Sequence, residues 1–448
     1  MSGSPTSPRS ARLVGAGVAV LLIGGAFALY QPAMRIGLLS DDYALLMWAR
    51  QLELAPRDWG QIRPLPIIAW WLLARITTVS GTPAALHALN IGLHGLNATL
   101  VFVLARRFLA APWGPAGAAA LFLTMPIAVE PVAWGSGVFD LTLTTFTLLL
   151  AIIATSRRDL RTIEYALGLA LTVAMMGAKE TGVIAGPLVV LLYWARWGRL
   201  SRGVLTLGGL QLLLAGSYTL ARELTDRLDH RLVPRPDASG IGRLLSGVLR
   251  AFFLPLHRRV VEAHPVMAMM VTLVLVAVIV AWVFRWRQIP NARRLAVLAS
   301  VGTLLCVAPA IRLFGITPDL QGTRYVYLAG AWWSIALASA LLDGWTSGSR
   351  RTAAATITIC TVVGAAIATR VHLQPWTAAR VARDKVLLQL ISLPPSCRQA
   401  SADGVPDNVS GAYVFRNGLN EALATLGRSY EWVEANRADD ACRMTAVY

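Results

Sequence analysis

Two adjacent carboxylates, in the segment Ser40-Asp41-Asp42-Tyr43, are the side chains of this sequence most able to do acid–base chemistry. They follow closely on an apolar run that ends at Tyr30. A carboxylate at a membrane surface can take a proton from an acceptor hydroxyl or hold a cation. The same segment is also a good helix start before Tyr43. Both interpretations stay open, and one Asp can begin a helix while the other acts as a base.

Further ionisable residues lie between apolar runs. Because a charged side chain inside a membrane costs free energy, each of these residues is a functional candidate. These residues, with the tyrosine that follows the last of them, are Arg63, Glu130, Asp140, Lys179, Glu180, Arg324 and Tyr325. The planar guanidinium of an Arg can bind a phosphate through two hydrogen bonds. The alternatives are a structural ion pair for Lys179 and Glu180, and headgroup anchors for Arg63 and Arg324.

A polar stripe runs along one apolar segment. His87, Asn90, His94 and Asn97 are spaced three, four and three residues apart, which places them on one face of a helix. Such groups either face a cavity or join helices through hydrogen bonds.

The composition predicts the fold that must position these residues. Of 448 residues, 56% are hydrophobic and 15% are charged, whereas a soluble domain carries about 25% charged residues. The apolar blocks have the length of membrane-spanning helices. We therefore predict an all-α polytopic membrane protein with about eleven transmembrane helices, at 13–30, 84–104, 115–129, 138–154, 163–177, 181–194, 204–220, 266–284, 295–311, 327–342 and 353–368.

Short Arg clusters follow every second predicted helix, which is the positive-inside pattern and places the N-terminus in the cytoplasm. On this topology residues 1–369 form the membrane domain, with outer loops at 31–83 and 222–264, and residues 370–448 form a small extracytoplasmic C-terminal domain of α/β or α-rich structure. The charged candidates then all lie at the outer ends of helices. The Arg-rich loop 222–264 either binds lipid or substrate phosphates or forms an interfacial helix.

Cytoplasmic Arg clusters account for much of the net charge of +17, and we expect no nucleic-acid partner. Cys397 and Cys442 in the tail are a disulfide candidate if that tail faces an oxidising compartment. No cysteine cluster of the kind that binds zinc is present in the sequence, and we predict no metal ligands.

The order of these motifs resembles that of the glycosyltransferase C superfamily, in particular its protein O-mannosyltransferase-like branch with bacterial relatives of the transmembrane and tetratricopeptide-repeat O-mannosyltransferases. The motifs that carry the resemblance are Asp41-Asp42, Arg63-Pro64-Leu65, the His87-to-Asn97 stripe, Glu130-Pro-Val-Ala-Trp with Asp140, Lys179-Glu180-Thr-Gly and Arg324-Tyr-Val-Tyr. They span roughly residues 13 to 345.

The resemblance implies a membrane glycosyltransferase of a bacterial inner membrane that moves a sugar from a polyprenyl-phosphate donor to a hydroxyl of a protein, glycan or lipid acceptor at the outer face. It implies that one of Asp41 and Asp42 is the base, and we predict Glu130 as a further catalytic residue. It implies that Arg324, with Lys179 or Arg63, contacts the donor phosphate. Our full set of predicted residues for binding the donor phosphate and substrate is Arg63, His94, Asn97, Asp140, Lys179, Glu180, Arg324 and Tyr325. A divalent cation and no cofactor at all are the two cofactor alternatives, of which the second is favoured.

The chain departs from the family pattern at two places. Family members often read His-Pro-x-His-x-Glu where this sequence reads Met125-Pro126-Ile127-Ala128-Val129-Glu130, and Phe139 stands where a cation often precedes the Asp. The missing histidines favour one alternative, a non-catalytic membrane assembly protein. The second alternative is a transporter or flippase for lipid-linked sugars, which would use the same outer cations.

Overall fold

The computed structural model describes residues 8–55, 62–224, 238–285, 291–310, 315–343, 348–393, 399–427, 431–432 and 442–445. Helices dominate these ranges, in agreement with the predicted fold class. In chain order the α-helices are α1 Pro8–Tyr30, α2 Asp42–Gln51, α3 Pro64–Ile76, α4 Thr82–Ala105, α5 Gly114–Thr124, α6 Val129–Ala133, α7 Val138–Ala154, α8 Thr162–Ala178, α9 Ala185–Trp197, α10 Arg202–Leu224, α11 Ala238–Phe253, α12 Arg258–Ala263, α13 Pro265–Arg285, α14 Ala292–Val307, α15 Tyr327–Leu342, α16 Gly348–His372, α17 Gln374–Ile391 and α18 Leu419–Thr425.

A helix overlaps each of the eleven positions that the sequence predicts. Six helical stretches of the described residues are long and apolar enough to cross a membrane, and a bent pair raises that number to seven. They are Gly15–Arg35, Thr82–Ala105, Gly135–Ala154, Arg202–Leu224, Thr323–Leu342 and Arg351–Ile391, and the bent pair is Gly114–Thr124 with Pro126–Ala133. The chain is thus a multi-pass membrane protein, and the count of eleven spans stays a prediction.

The predicted helix 115–129 is broken rather than continuous. It ends at Thr124, and the chain turns by 50° into the short helical segment that carries Glu130. Met125 takes an extended conformation, with φ −62° and ψ 123°, because the ring of the following Pro126 disfavours the helical region for the residue before it. This bend gives Glu130 a position at the end of the bundle.

Helix α4 lies at the centre of the bundle, where it packs against α1, α5 and α7. Gly95 permits the close approach of α1, since a Cβ atom there would lie 2.7 Å from the Cα atom of Ile23. Small residues commonly allow helix backbones to approach closely in membranes.

The first predicted outer loop contains two helices. The apolar stretch after Arg63 forms α3, which packs against α2 and α8. With 13 residues it is about 20 Å long at 1.5 Å per residue, which is too short to cross the hydrocarbon core.

The C-terminal region departs from the all-α class, as its predicted α/β or α-rich character allows. It contains the strands β1 Gln399–Asp403, β2 Asn408–Val409, β3 Ala412–Tyr413, β4 Glu431–Trp432 and β5 Cys442–Thr445. The order β4-β1-β5 forms a parallel sheet, and β2 and β3 form an antiparallel pair. Helix α18 packs on α2, and its buried residues Leu419 and Leu423 belong to the main core. The division into domains at residue 370 stays a prediction.

Candidate active site

Asp42 is an anchor between the first loop and the start of α7. Its side chain is fully buried. Its Oδ1 accepts hydrogen bonds from the backbone N–H and the hydroxyl of Ser136, both at 2.7 Å, and its Oδ2 accepts the N–H of Leu39 at 3.0 Å. Gly135 is needed here, because a Cβ atom would lie 2.8 Å from the carboxylate. Burial raises the pKa of Asp42 to about 7, although the hydrogen bonds from Ser136 and Leu39 lower it.

Asp41 has different surroundings. It occupies the N-cap position of α2 but makes no side-chain cap hydrogen bond. Its Oδ1 instead accepts hydrogen bonds from Nδ2 of Asn417 at 2.8 Å and from the hydroxyl of Ser40 at 3.3 Å. Within the described ranges neither Asp41 nor Asp42 has a cation within 4.0 Å, and Asp41 is the more accessible of the two.

Arg63 and Glu180 form a bidentate pair. Arg63 donates from Nε at 2.8 Å to one carboxylate oxygen and from Nη2 at 2.6 Å to the other. Burial opposes ionisation of Glu180, but the charge and hydrogen bonds of Arg63 outweigh it and lower the pKa of Glu180 to about 2. The guanidinium also lies over the ring of Phe139, 4.7 Å from its centre. Phe139 stands where the family pattern often has a cationic residue, and its ring contacts the guanidinium of Arg63 instead.

Lys179 and Asp140 form a second pair. Their Nζ–Oδ1 distance is 2.6 Å and both side chains are buried. Two charges taken out of water need such close pairing. The Lys179 ammonium also lies 5.0 Å from the centre of the Tyr325 ring.

Glu130 and Arg324 form the third pair, with Nη1 and Oε1 at 3.3 Å. Oε2 of Glu130 also accepts the backbone N–H of Arg324 at 3.1 Å and the hydroxyl of Thr323 at 3.2 Å. The hydroxyl of Tyr413 lies 3.4 Å from Oε1. Glu130 therefore joins the broken helix near Pro126 to the start of α15 and to the C-terminal strand β3.

Three aromatic rings surround the Arg324 guanidinium. The ring centres of Trp134, Tyr325 and Tyr413 lie 4.6, 5.0 and 5.6 Å from its central carbon. Nη2 donates to the hydroxyl of Tyr325 at 3.1 Å. This enclosure fixes the plane of the guanidinium in a site that largely excludes water.

A small cavity lies where the second and third pairs meet. Its lining includes Asp140, Thr144, Lys179, Arg324 and Tyr325, and its volume of about 10 Å³ is room for about one water molecule. The buried hydroxyl of Thr144 has no protein hydrogen-bond partner. Two cations and an unsatisfied hydroxyl provide the donors that a phosphate needs, and the small volume means that the site must open to admit one.

The structure places His94 and Asn97 in the bundle interior. Nδ1 of His94 lies 2.8 Å from the Tyr327 hydroxyl, and Nε2 donates to the carbonyl of Leu123 at 3.0 Å. Asn97 donates to the carbonyl of Leu141 at 3.1 Å and accepts from Thr145 at 2.7 Å. These bonds join α4 to its neighbours, which favours the helix-joining interpretation of the polar stripe. A substrate role for His94 and Asn97 stays a prediction.

A second cavity, of about 20 Å³, adjoins Glu130 and is lined by His257 and His372. The backbone N–H of His257 donates to Nε2 of His372 at 3.0 Å, so the proton of the neutral His372 ring is on Nδ1, which has no protein partner. Two histidines from distant segments therefore lie near Glu130. The two histidines that family members often have just before this glutamate are absent from the sequence. A spacing motif could not reveal His257 and His372.

The described residues bear on the metal and disulfide predictions only in part. No group of three or more His, Cys, Asp or Glu side chains in the described ranges is arranged to hold a metal ion. The choice between a divalent cation and no cofactor stays a prediction. Cys397 lies outside the described residues, and Cys442 lies in β5, whose backbone alone is described.

Sequence reasoning brings the charged candidates to one end of the bundle but misses several of their partners. The missed residues are Trp134, Ser136, Thr323, Tyr413 and Asn417. The first three stand beside predicted motifs, so proximity in the chain is a usable signal for them. Tyr413 and Asn417 belong to the tail and carry no such signal.

Comparison with solved structures gives a match to the fold. No protein-family model matches the sequence, and no curated protein sequence matches it. The fold is similar to that of ArnT from Cupriavidus metallidurans, whose crystal structure contains bound undecaprenyl phosphate, with a TM-score of 0.53 and 12% sequence identity over 94% of this chain and 90% of that chain. At this identity the likeness shows the fold alone. The described helices thus share the fold of that ArnT structure.

Proposed function

We propose that this protein is a membrane glycosyltransferase that moves a sugar from a polyprenyl-phosphate donor to an acceptor hydroxyl at the outer face of a bacterial inner membrane. The observation that carries the proposal is the convergence of an accessible carboxylate, Asp41, with three cation–carboxylate pairs at one end of the bundle. The likeness to ArnT supports it, because a polyprenyl phosphate is bound in that fold.

In the proposed reaction Asp41 takes the proton of the acceptor hydroxyl. The acceptor oxygen attacks the anomeric carbon of the sugar as the bond between that carbon and the phosphate oxygen breaks. The phosphate leaves with the bonding electrons, and the anomeric configuration inverts. Asp42 does not act as the base in this scheme, because three hydrogen bonds hold it as an anchor.

The leaving phosphate gains charge in the transition state, so fixed cations beside it accelerate the reaction. Arg324 and Lys179 line the same small cavity as Thr144. Glu130 and Asp140 hold these cations in place through their ion pairs. The ion pair of Arg63 and Glu180 adjoins these residues, because Glu180 directly follows Lys179 in the chain.

The finer assignments rest on the motif resemblance. We propose the O-mannosyltransferase-like branch, with a protein, glycan or lipid acceptor, and an orientation with the N-terminus in the cytoplasm. The polar side chains of α4 bond to protein groups across the bundle. A flippase would instead need a polar path across the bilayer, so this arrangement favours the transferase.

The experiment is sugar transfer from a panel of radiolabelled undecaprenyl-phosphate hexoses and pentoses to endogenous acceptors, in membranes that contain the wild-type chain or Arg324→Gln. We expect transfer from at least one donor, reduced at least about 100-fold in the variant because a charge-stabilising donor is lost. Exposed Arg106, which follows α4 at the predicted cytoplasmic end, is changed to Gln as the control. Folded protein that transfers no sugar from any donor would contradict the proposal and favour a transport or assembly role.

A further inference from the structure

Asn417 contacts the proposed catalytic base from the other end of the chain. Its side-chain N–H donates to Oδ1 of Asp41 at 2.8 Å. The Ser40 hydroxyl donates to the same oxygen, and within the described residues Oδ2 of Asp41 has no hydrogen-bond partner. One oxygen is therefore held by two donors while the other is left for a proton from the acceptor. We propose that Asn417 is a positioning residue for Asp41, an inference that rests on the proposed function.

The backbone holds Asn417 in this position. The N–H of Ser40 donates to the carbonyl of Val414 at 2.8 Å, and the N–H of Asn417 donates to the hydroxyl of Ser40 at 3.2 Å. Gly418 has a φ of 82°, and a Cβ atom there would lie 2.3 Å from the carbonyl oxygen of Ser40. Only glycine fits this close approach. The tail is thus bonded to the residue that directly precedes Asp41.

The same tail segment contacts the rest of the site. The ring of Tyr413 packs on Trp134 with 4.5 Å between centres, and its hydroxyl lies 3.4 Å from Glu130. Phe415 stacks on Tyr43, which follows the two aspartates. Asn417 therefore belongs to a continuous tail segment that contacts several parts of the site, and its bond to Asp41 is not an isolated surface contact.

An amide donor has two effects on a general base. It fixes the plane of the carboxylate, so that the free oxygen points consistently at the acceptor. It also favours the ionised form, which is the form that takes a proton. Loss of the donor should lower kcat and leave the KM for the lipid donor nearly unchanged, since Asn417 contacts the base and not the phosphate-binding cations.

The test compares Asn417→Ala and the isosteric Asn417→Asp with wild type in the full-length chain. Transfer from the undecaprenyl-phosphate sugar that gives the strongest wild-type signal is measured between about pH 3 and 9, so that the range in which aspartates usually titrate is included. We expect kcat to fall about tenfold in Asn417→Ala. The acidic limb of the pH profile should move up in Asn417→Asp, because a new neighbouring negative charge favours the protonated carboxylate.

The shape of a pH profile does not depend on how much protein is folded, so reduced folding cannot imitate this result. Asn420→Ala, at an exposed position of α18, is the matched control and should behave as wild type. If Asp41→Asn is inactive while both Asn417 variants keep the wild-type kcat and pH profile, the positioning role is wrong and the proposed function stands. If Asp41→Asn transfers sugar as well as wild type, both proposals are wrong.

Discussion

Asp41 and Asp42 are neighbours in the chain whose surroundings separate their roles. The buried Asp42 carboxylate accepts three hydrogen bonds and ties the first loop to α7, whereas Asp41 presents one oxygen without a described partner. A sequence alone cannot rank them, because both are the same residue type at the same helix start. Their partners, Ser136 and Asn417, are 94 and 376 residues away.

The raised pKa of Asp42 predicts a pH-dependent stability. Because its pKa rises from 3.8 to about 7 on burial, its contribution to stability is fully present below about pH 4 and is lost as the pH rises through about 7. Wild type should therefore lose on the order of 4 kcal/mol relative to Asp42→Asn over this window. Thermal unfolding in detergent from about pH 4 to 9 measures it. A difference between the two proteins that stays constant with pH would contradict the assignment.

At the scale of elements, the sequence predicts helix positions well, since apolar blocks and Arg clusters mark where helices begin and end. It misses the bend at Met125, although Pro126 is a usable signal for it. It also places an α/β or α-rich domain in the tail without predicting where that domain packs. The contacts of Tyr413 and Asn417 depend on chain reversal over hundreds of residues, which no local pattern encodes.

The close packing of α1 on α4 gives a prediction with a control in the same helix. Gly95→Ala would place a Cβ atom 2.7 Å from the backbone of Ile23, so the helices must separate, at a cost of about 1–3 kcal/mol. Gly92→Ala meets no atom within 4 Å and should leave stability unchanged or slightly raised, because Ala favours helix. Thermal unfolding of both variants in detergent provides the measurement. Equal stability of the two would show that α1 and α4 do not approach so closely.

At the scale of the whole molecule, apolar side chains face outward over the bundle, which is expected where lipid replaces water. Leu213 is 68% exposed at the middle of the span Arg202–Leu224. Arginine at the centre of a span costs about 2.5–3.5 kcal/mol on insertion scales. We expect Leu213→Arg to reduce the amount of protein inserted in membranes.

The control for this prediction is Leu205→Arg, which lies near the end of the same helix and is also exposed. Its side chain can extend to the headgroups, so insertion should be close to that of wild type. Quantification of membrane-inserted protein by immunoblot, after carbonate extraction, compares the two. Normal insertion of Leu213→Arg would mean that α10 does not face lipid at its centre.

The arrangement of the whole chain brings three ion pairs, two aspartates and the C-terminal tail to one end of a membrane bundle. The fold is similar to one that binds undecaprenyl phosphate in ArnT. The described residues thus combine a small cavity lined by Arg324 and Lys179 with a carboxylate, Asp41, and the tail segment contacts both Asp41 and Glu130. The central claim is that Asp41 is the base of a sugar transfer at this end.

The most direct measurement is the transfer rate of Asp41→Asn beside wild type, with the undecaprenyl-phosphate sugar that wild type uses and with thermal unfolding measured on both proteins. Removal of a general base typically costs about 10²- to 10⁴-fold in rate. We expect a loss of this size in Asp41→Asn, with a melting temperature close to that of wild type because Asp41 is not an anchor. A folded Asp41→Asn variant that transfers sugar at the wild-type rate would contradict the claim.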